Sequence, residues 1–228
     1  RERLNYIHSH YKILNDDYLF TLSMFVVEPD IWIRQYDWRE LIKVEQDALY
    51  YLWKEVGEGM GIKDIPESFD ALCEWSWEYE RKHMRYAATN EKVVAPTVDM
   101  ILNPLPNFLR PLVRSIVPAL MSDRLAEATG FPKAKPWAKM AIRWFFVIRA
   151  FFLKYFFLPR WSSNQRTAAG PLNGPNGRRR LFKPNWNLYG CTYPDGYDIA
   201  SLGPKKMRPG KTCPLFKAAD SGPRRTKD

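Results

Sequence analysis

Cysteine is scarce in this chain of 228 residues, and Cys73, Cys191 and Cys213 make an odd count without metal-ligand spacing. Neither a disulfide scaffold nor a zinc centre follows from such a set. Cys213-Pro214 lies in a basic tail without apolar periodicity, which sets it aside as an axial thiolate. The Gly-x-Ser-x-Gly elbow and the zinc-hydrolase motifs are missing, so a hydrolase reading has little behind it. No internal repeat is evident, which argues against a solenoid. A long uncharged run is lacking too: the stretch from Met140 to Leu158 is crossed by Arg143, Arg149 and Lys154. Each charge near a bilayer centre costs about 3 kcal/mol on insertion scales, so the stretch does not read as a membrane span. No signal peptide or amino-terminal anchor is visible.

What is present is enough apolar material for a real core, 46% of the residues. The net charge of +10 is confined to one end. Residues 1–159 carry 21 Lys/Arg against 21 Asp/Glu, whereas 160–228 carry 14 against 4. This divides the chain into a main domain, 1–159, and a basic, Pro/Gly-rich extension, 160–228. The extension reads as a solvated linker, with attraction to an anionic membrane surface as the functional alternative. Its aromatics are not interleaved with its basic cluster, so a nucleic-acid platform is not expected.

Amphipathic runs separated by Pro, Gly and capping residues predict an all-α fold. Helices are expected near 2–13, 16–28, 30–36, 41–60, 67–86 and 90–102, then a pair across 106–129 and a long helix over 136–158. Pro29 should end the second, and Pro118 should divide 106–129, because proline removes a helix hydrogen bond and clashes with the preceding turn. Gly57, Gly59 and Gly61 mark the exit of the 41–60 helix. On 136–158, Lys139, Arg143 and Lys154 fall on one side with Arg149 flanking them, which makes a basic amphipathic helix. Its aromatic face either packs against the other helices or lies in a membrane interface.

The first two dozen residues carry the sharpest functional signal. Over 3–14, Leu4, Ile7, His8 and Tyr11 share one helical stripe, while His10 points away. An imidazole on an apolar face serves either as a satisfied core side chain or as an axial ligand to iron. His8-Ser9-x-Tyr11 is followed by Asn15-x-Asp17-x-Leu19-x-x-Thr21, Phe25-x-x-x-Pro29 and Trp38-Arg39. Further on come Met60-Gly61-Ile62, Trp75-Ser76-x-x-Tyr79-Glu80-x-x-His83-Met84, Asn103-x-Leu105-Pro106 and Asp123-Arg124-Leu125 before Gly130-x-Pro132. Tyr193-Pro194-x-Gly196-Tyr197, Gly203-Pro204-Lys205 and Cys213-Pro214 close the series. Together these motifs resemble the mpaB and rubber-oxygenase (latex-clearing protein) family, its fungal branch in particular.

That resemblance implies an all-helical, partly globin-like domain holding a b-type heme, which splits carbon–carbon double bonds of isoprenoid-type substrates with dioxygen. It implies endoplasmic reticulum membrane association, and a domain here incomplete at its amino end. By the same resemblance His8 is the iron ligand and Lys12 contacts a heme propionate. Asn15, Asp17 and Thr21 match the family's signature, while Asn5 stands where arginine is more usual. Asp17 is a candidate acceptor for the other ring nitrogen of His8. Helix-start roles are open beside these: Asn15 as the N-cap, Asp16 and Asp17 at the positive end of the dipole. Arg124 reaches either a propionate or its helical neighbours Asp123 and Glu127. His83 reads as a surface histidine at a helix C-terminus. Phe25, Trp53 and Trp144 are candidates for an apolar channel or for core. The rival reading is a heme-free helical protein that binds lipid through 136–158.

Overall fold

The computed structural model describes residues 2–103, 105–158, 203, 204 and 207, and all regular structure among them is helical. The chain forms two units, one of Asn15–Trp161 and one that joins Arg1–Leu14 to Ser162–Asp228. The basic extension expected over 160–228 lies almost wholly outside the described residues.

The larger unit is organised by α2, Asn15–Tyr36. Its buried residues Leu19, Leu22, Ser23, Val26, Val27 and Asp30 recur three and four apart and form one stripe. Against it pack α3, Lys43–Gly59, and α4, Phe69–His83. Tyr50, Ile62, Phe69, Leu72 and Cys73 complete the buried cluster. Ser23 Oγ donates to Ser76 Oγ at 2.9 Å, so the hydroxyls satisfy one another in the interior where α2 meets α4.

Pro29 does not end the second helix as expected; α2 runs through it. Proline deletes one backbone bond and costs about 3 kcal/mol, but the stripe is continuous across the position. Asp30, the next residue, is buried and held by Arg34 one turn on and by Gln46 Nε2 at 2.8 Å. Burial on both sides of Pro29, with these contacts on Asp30, outweighs the missing bond.

The glycines of α3 have separate tasks. A Cβ on Gly57 would stand 2.6 Å from Leu22 Cδ2 and 2.9 Å from Ile65 Cδ1, so Gly57 permits close packing inside the helix. Gly61 adopts φ +79° just beyond the end. Ile62 N then donates to Gly57 O at 3.0 Å and Gly61 N to Glu58 O at 2.9 Å, a Schellman closure.

The chain continues as α5, Ala88–Leu102, and α6, Arg110–Ile116. A 3-10 turn, Val117–Leu120, follows and precedes α7, Asp123–Ala128. Pro118 lies in that turn and divides the segment as its chemistry requires. Finally α8, Pro136–Phe156, returns along α2, with Phe146 at 4.4 Å from the Tyr36 ring. No helix among the described residues is long and apolar enough to cross a membrane.

In the smaller unit, α1 spans Glu2–His8 and stops five residues short of expectation. Local polar groups compete for its carbonyls: Ser9 Oγ donates to Tyr6 O at 2.8 Å, and His10 Nδ1 lies 2.7 Å from the same oxygen. Arg3 is buried and donates to Met207 O at 2.7 Å. Gly203, at φ +103°, faces Ile7, whose Cδ1 would be 2.8 Å from an added Cβ. Only glycine combines that backbone with that approach.

Candidate active site

His8 is the last residue of α1 and is half-buried beside the half-buried Ile7. The expected stripe is only partly realised, because Leu4 and Tyr11 are exposed and Tyr11 lies beyond the helix end. His10 is exposed and sits edge-on to Tyr6 at 4.8 Å, so it does point away. Lys12 is exposed in the segment that follows α1.

The signature residues at the start of α2 are engaged by protein groups. Asn15 Nδ2 donates to Lys63 O at 3.1 Å, and Lys63 N donates to Asn15 Oδ1 at 2.8 Å. Asn15 thus clamps the chain after α3 with its whole amide. Asp17 Oδ1 accepts from the Tyr79 hydroxyl at 2.5 Å. Burial, reinforced by that carboxylate, pushes the Tyr79 phenol up to about 12. Thr21 Oγ1 donates back to Asp17 O at 2.9 Å. Tyr79 also stacks on Phe20, Trp75 and His83, with His83 exposed at the end of α4 as expected.

A cleft of about 620 Å³ opens elsewhere in the larger unit. From α2 it takes Glu28, Ile31, Trp32 and Tyr36, one face at helical spacing. Glu80 of α4, the Leu120–Met121 corner, and Lys139 and Arg143 of α8 complete its walls. Burial pushes the Glu28 carboxyl above the ordinary carboxylate range, a hydrogen bond from Trp32 opposes this, and the charge of Glu80 adds to it. A half-buried carboxyl raised in this way suits proton transfer. Lys139 Nζ pairs with Asp123 Oδ1 at 2.8 Å and holds that carboxyl below its usual value. Arg124 lies 3.8 Å from Glu80 Oε1 rather than on its helical neighbours. Phe25 and Trp53 stack on each other at 4.3 Å, Trp144 is exposed on α8, and none of the three lines the cleft.

Residues 3–152 match the family described as ER-bound oxygenase mpaB/B'/Rubber oxygenase, catalytic domain. The chain belongs to this family. Among its mpaB relatives, ER-bound oxygenase mpaB' of Penicillium brevicompactum is 29% identical over 89% of the chain and 59% of its own length. ER-bound oxygenase mpaB of Penicillium roqueforti is 32% identical over 55% of the chain and 48% of its own length. The chain therefore spans about half the length of these mpaB relatives. No solved structure matches it.

The matched stretch holds both His8 on α1 and the residues of the cleft. Glu28 and Glu80 escape a reading by motif, because Glu28 looks like one more polar position before Pro29 and Glu80 like a solvated helix residue. The available signal was their place: Glu28 falls on the same helical face as Ile31, Trp32 and Tyr36.

Proposed function

We propose that this chain is the helical part of a heme-dependent oxygenase that cleaves a carbon–carbon double bond in a prenyl-like hydrophobic substrate with dioxygen. The observation that carries the reading is the family match over 3–152 with the half-buried His8 inside it. The donor chemistry fits a porphyrin. A heme iron can be held by a single protein side chain, whereas a non-heme iron needs several. No group of three or more His, Cys, Asp or Glu that could hold a metal ion occurs among the described residues. A lone imidazole on α1 is what a b-type heme requires, and the exposed Lys12 ammonium suits a propionate.

When bound, the heme would supply the oxygen chemistry, and the protein would supply the His8 imidazole to hold it, the surroundings and substrate orientation. In this reading Asn15, Asp17 and Thr21 are positioning residues, which hold the start of α2 through Lys63, Tyr79 and the helix backbone. Arg124 steadies Glu80 on the cleft wall. Within the cleft of the larger unit, Glu28 is the group suited to hold or move a proton at its carboxyl oxygen. We assign the chain to the endoplasmic reticulum membrane, the location in its relatives' names.

The test is an absorption spectrum of the purified chain after heme reconstitution, before and after dithionite. A stoichiometric Soret band is expected, abolished in His8→Ala and retained in His10→Ala. Equal heme content in the two variants overturns the ligand assignment, and absence of any band overturns heme binding by this chain.

A further inference from the structure

The side of α8 that faces away from the bundle is its most apolar side. The helix packs through Ala138, Ile142, Phe146 and Leu153, which are buried or half-buried. At 100° per residue, the opposite side carries Trp137, Met140, Trp144, Ile148, Phe151 and Tyr155, all exposed. No charged residue interrupts that side. Over 21 residues it forms a strip about 30 Å long, since an α-helix rises 1.5 Å per residue. A continuous apolar strip of this kind marks an interaction surface.

The charges of α8 indicate what covers it. The helix has four cations and no acidic residue. Lys139 and Arg149 turn toward the bundle, where they approach Asp123 and Asp37. Arg143 and Lys154 lie together on one margin of the apolar side and form no ion pair among the described residues. Cations at the margin of an aromatic face sit at headgroup depth when that face enters lipid, and Trp and Tyr favour the same depth. We propose that α8 docks flat in the interface of an anionic membrane, with Trp144, Phe151 and Tyr155 in lipid and Arg143 and Lys154 among the headgroups. This inference does not depend on the oxygenase reading. Lys139 and Arg143 also line the cleft, so the docked helix is one cleft wall held at the lipid surface.

The test is flotation of the full chain with phosphatidylcholine vesicles, with and without phosphatidylserine. The chain should float with the phosphatidylserine vesicles and less with phosphatidylcholine alone, and salt should weaken the binding. Trp144→Ser/Phe151→Ser/Tyr155→Ser should lower partitioning about tenfold or more with net charge unchanged. Trp77→Ser/Phe108→Ser, at exposed apolar positions elsewhere, should float like the parent, with circular dichroism reporting the fold of each variant. Arg143→Gln/Lys154→Gln, which leaves the apolar side intact, should lose most of the dependence on phosphatidylserine and salt. Undiminished flotation of the folded triple variant overturns the proposal, because the charge of the tail would then suffice. So does a parent that never floats but forms a dimer that the triple variant dissolves, which would make a second copy the occupant.

Discussion

Cys73 shows how far a residue's chemistry departs from its type. Burial, with the charges of Asp30 and Asp70, pushes its thiol up to about 11. The nucleophilic thiolate is therefore rare at neutral pH. Iodoacetamide at about pH 7.5 should leave Cys73 unmodified in the folded chain and alkylate it in urea, read by peptide mass spectrometry. Labelling at the unfolded rate would show that the thiol is accessible. Other residues were only half legible. Asp17 was recognisable as part of a signature, but its partner Tyr79 lies 62 positions away and belongs to another helix. Asn15 looked like an N-cap from its neighbours, whereas the chain after α3 claims both ends of its amide.

At the scale of elements, the expected helices are present with shifted ends, except that 16–28 and 30–36 are one continuous helix, α2. Ser68 caps α4 by accepting from Ala71 N at 3.1 Å, a start that propensity makes readable. Pro29 was read by its own chemistry and misjudged, because the stripe from Leu19 to Asp30 that overrides it is a tertiary contact. Gly57 was read as marking the exit of its helix, yet it is a packing residue against Leu22. Gly57→Ala should consequently destabilise the fold by about 1 kcal/mol: overpacking costs about 1–3 kcal/mol and the gain in helix propensity returns about 1. Urea unfolding followed by circular dichroism checks this, and a more stable variant would show that Leu22 and Ile65 yield freely.

For the whole molecule, pH dependence gathers the contributions of the cleft. The Glu28 carboxyl is raised in the folded state by burial and by Glu80. Its stabilising contribution is thus complete below the unfolded value, near 4.5, and is lost as pH rises through the folded value. Glu28→Gln keeps an acceptor for Trp32 and removes the charge. It should raise Tm at about pH 7.5, with the difference closing toward about pH 4. A gap that widens on acidification would reverse the sign assigned to Glu28. The cleft itself was not legible as a site, because its walls come from α2, α4, the 3-10 corner and α8.

Local rules alone determined that the chain is helical, that Pro118 divides its segment, that 136–158 is amphipathic and basic, and that His8 belongs to a recognisable series of motifs. Each depends on periodicity, backbone chemistry or residue order, which a linear chain carries in full. The tertiary structure decided what no local rule reaches. It kept α2 continuous through Pro29, gave Asp17 to Tyr79, brought Glu28 and Glu80 to one cleft, and turned the charge-free side of α8 outward. For α2, burial along the stripe outweighed a local proline penalty of about 3 kcal/mol, and the other placements depend on residues distant in sequence that no local rule brings together.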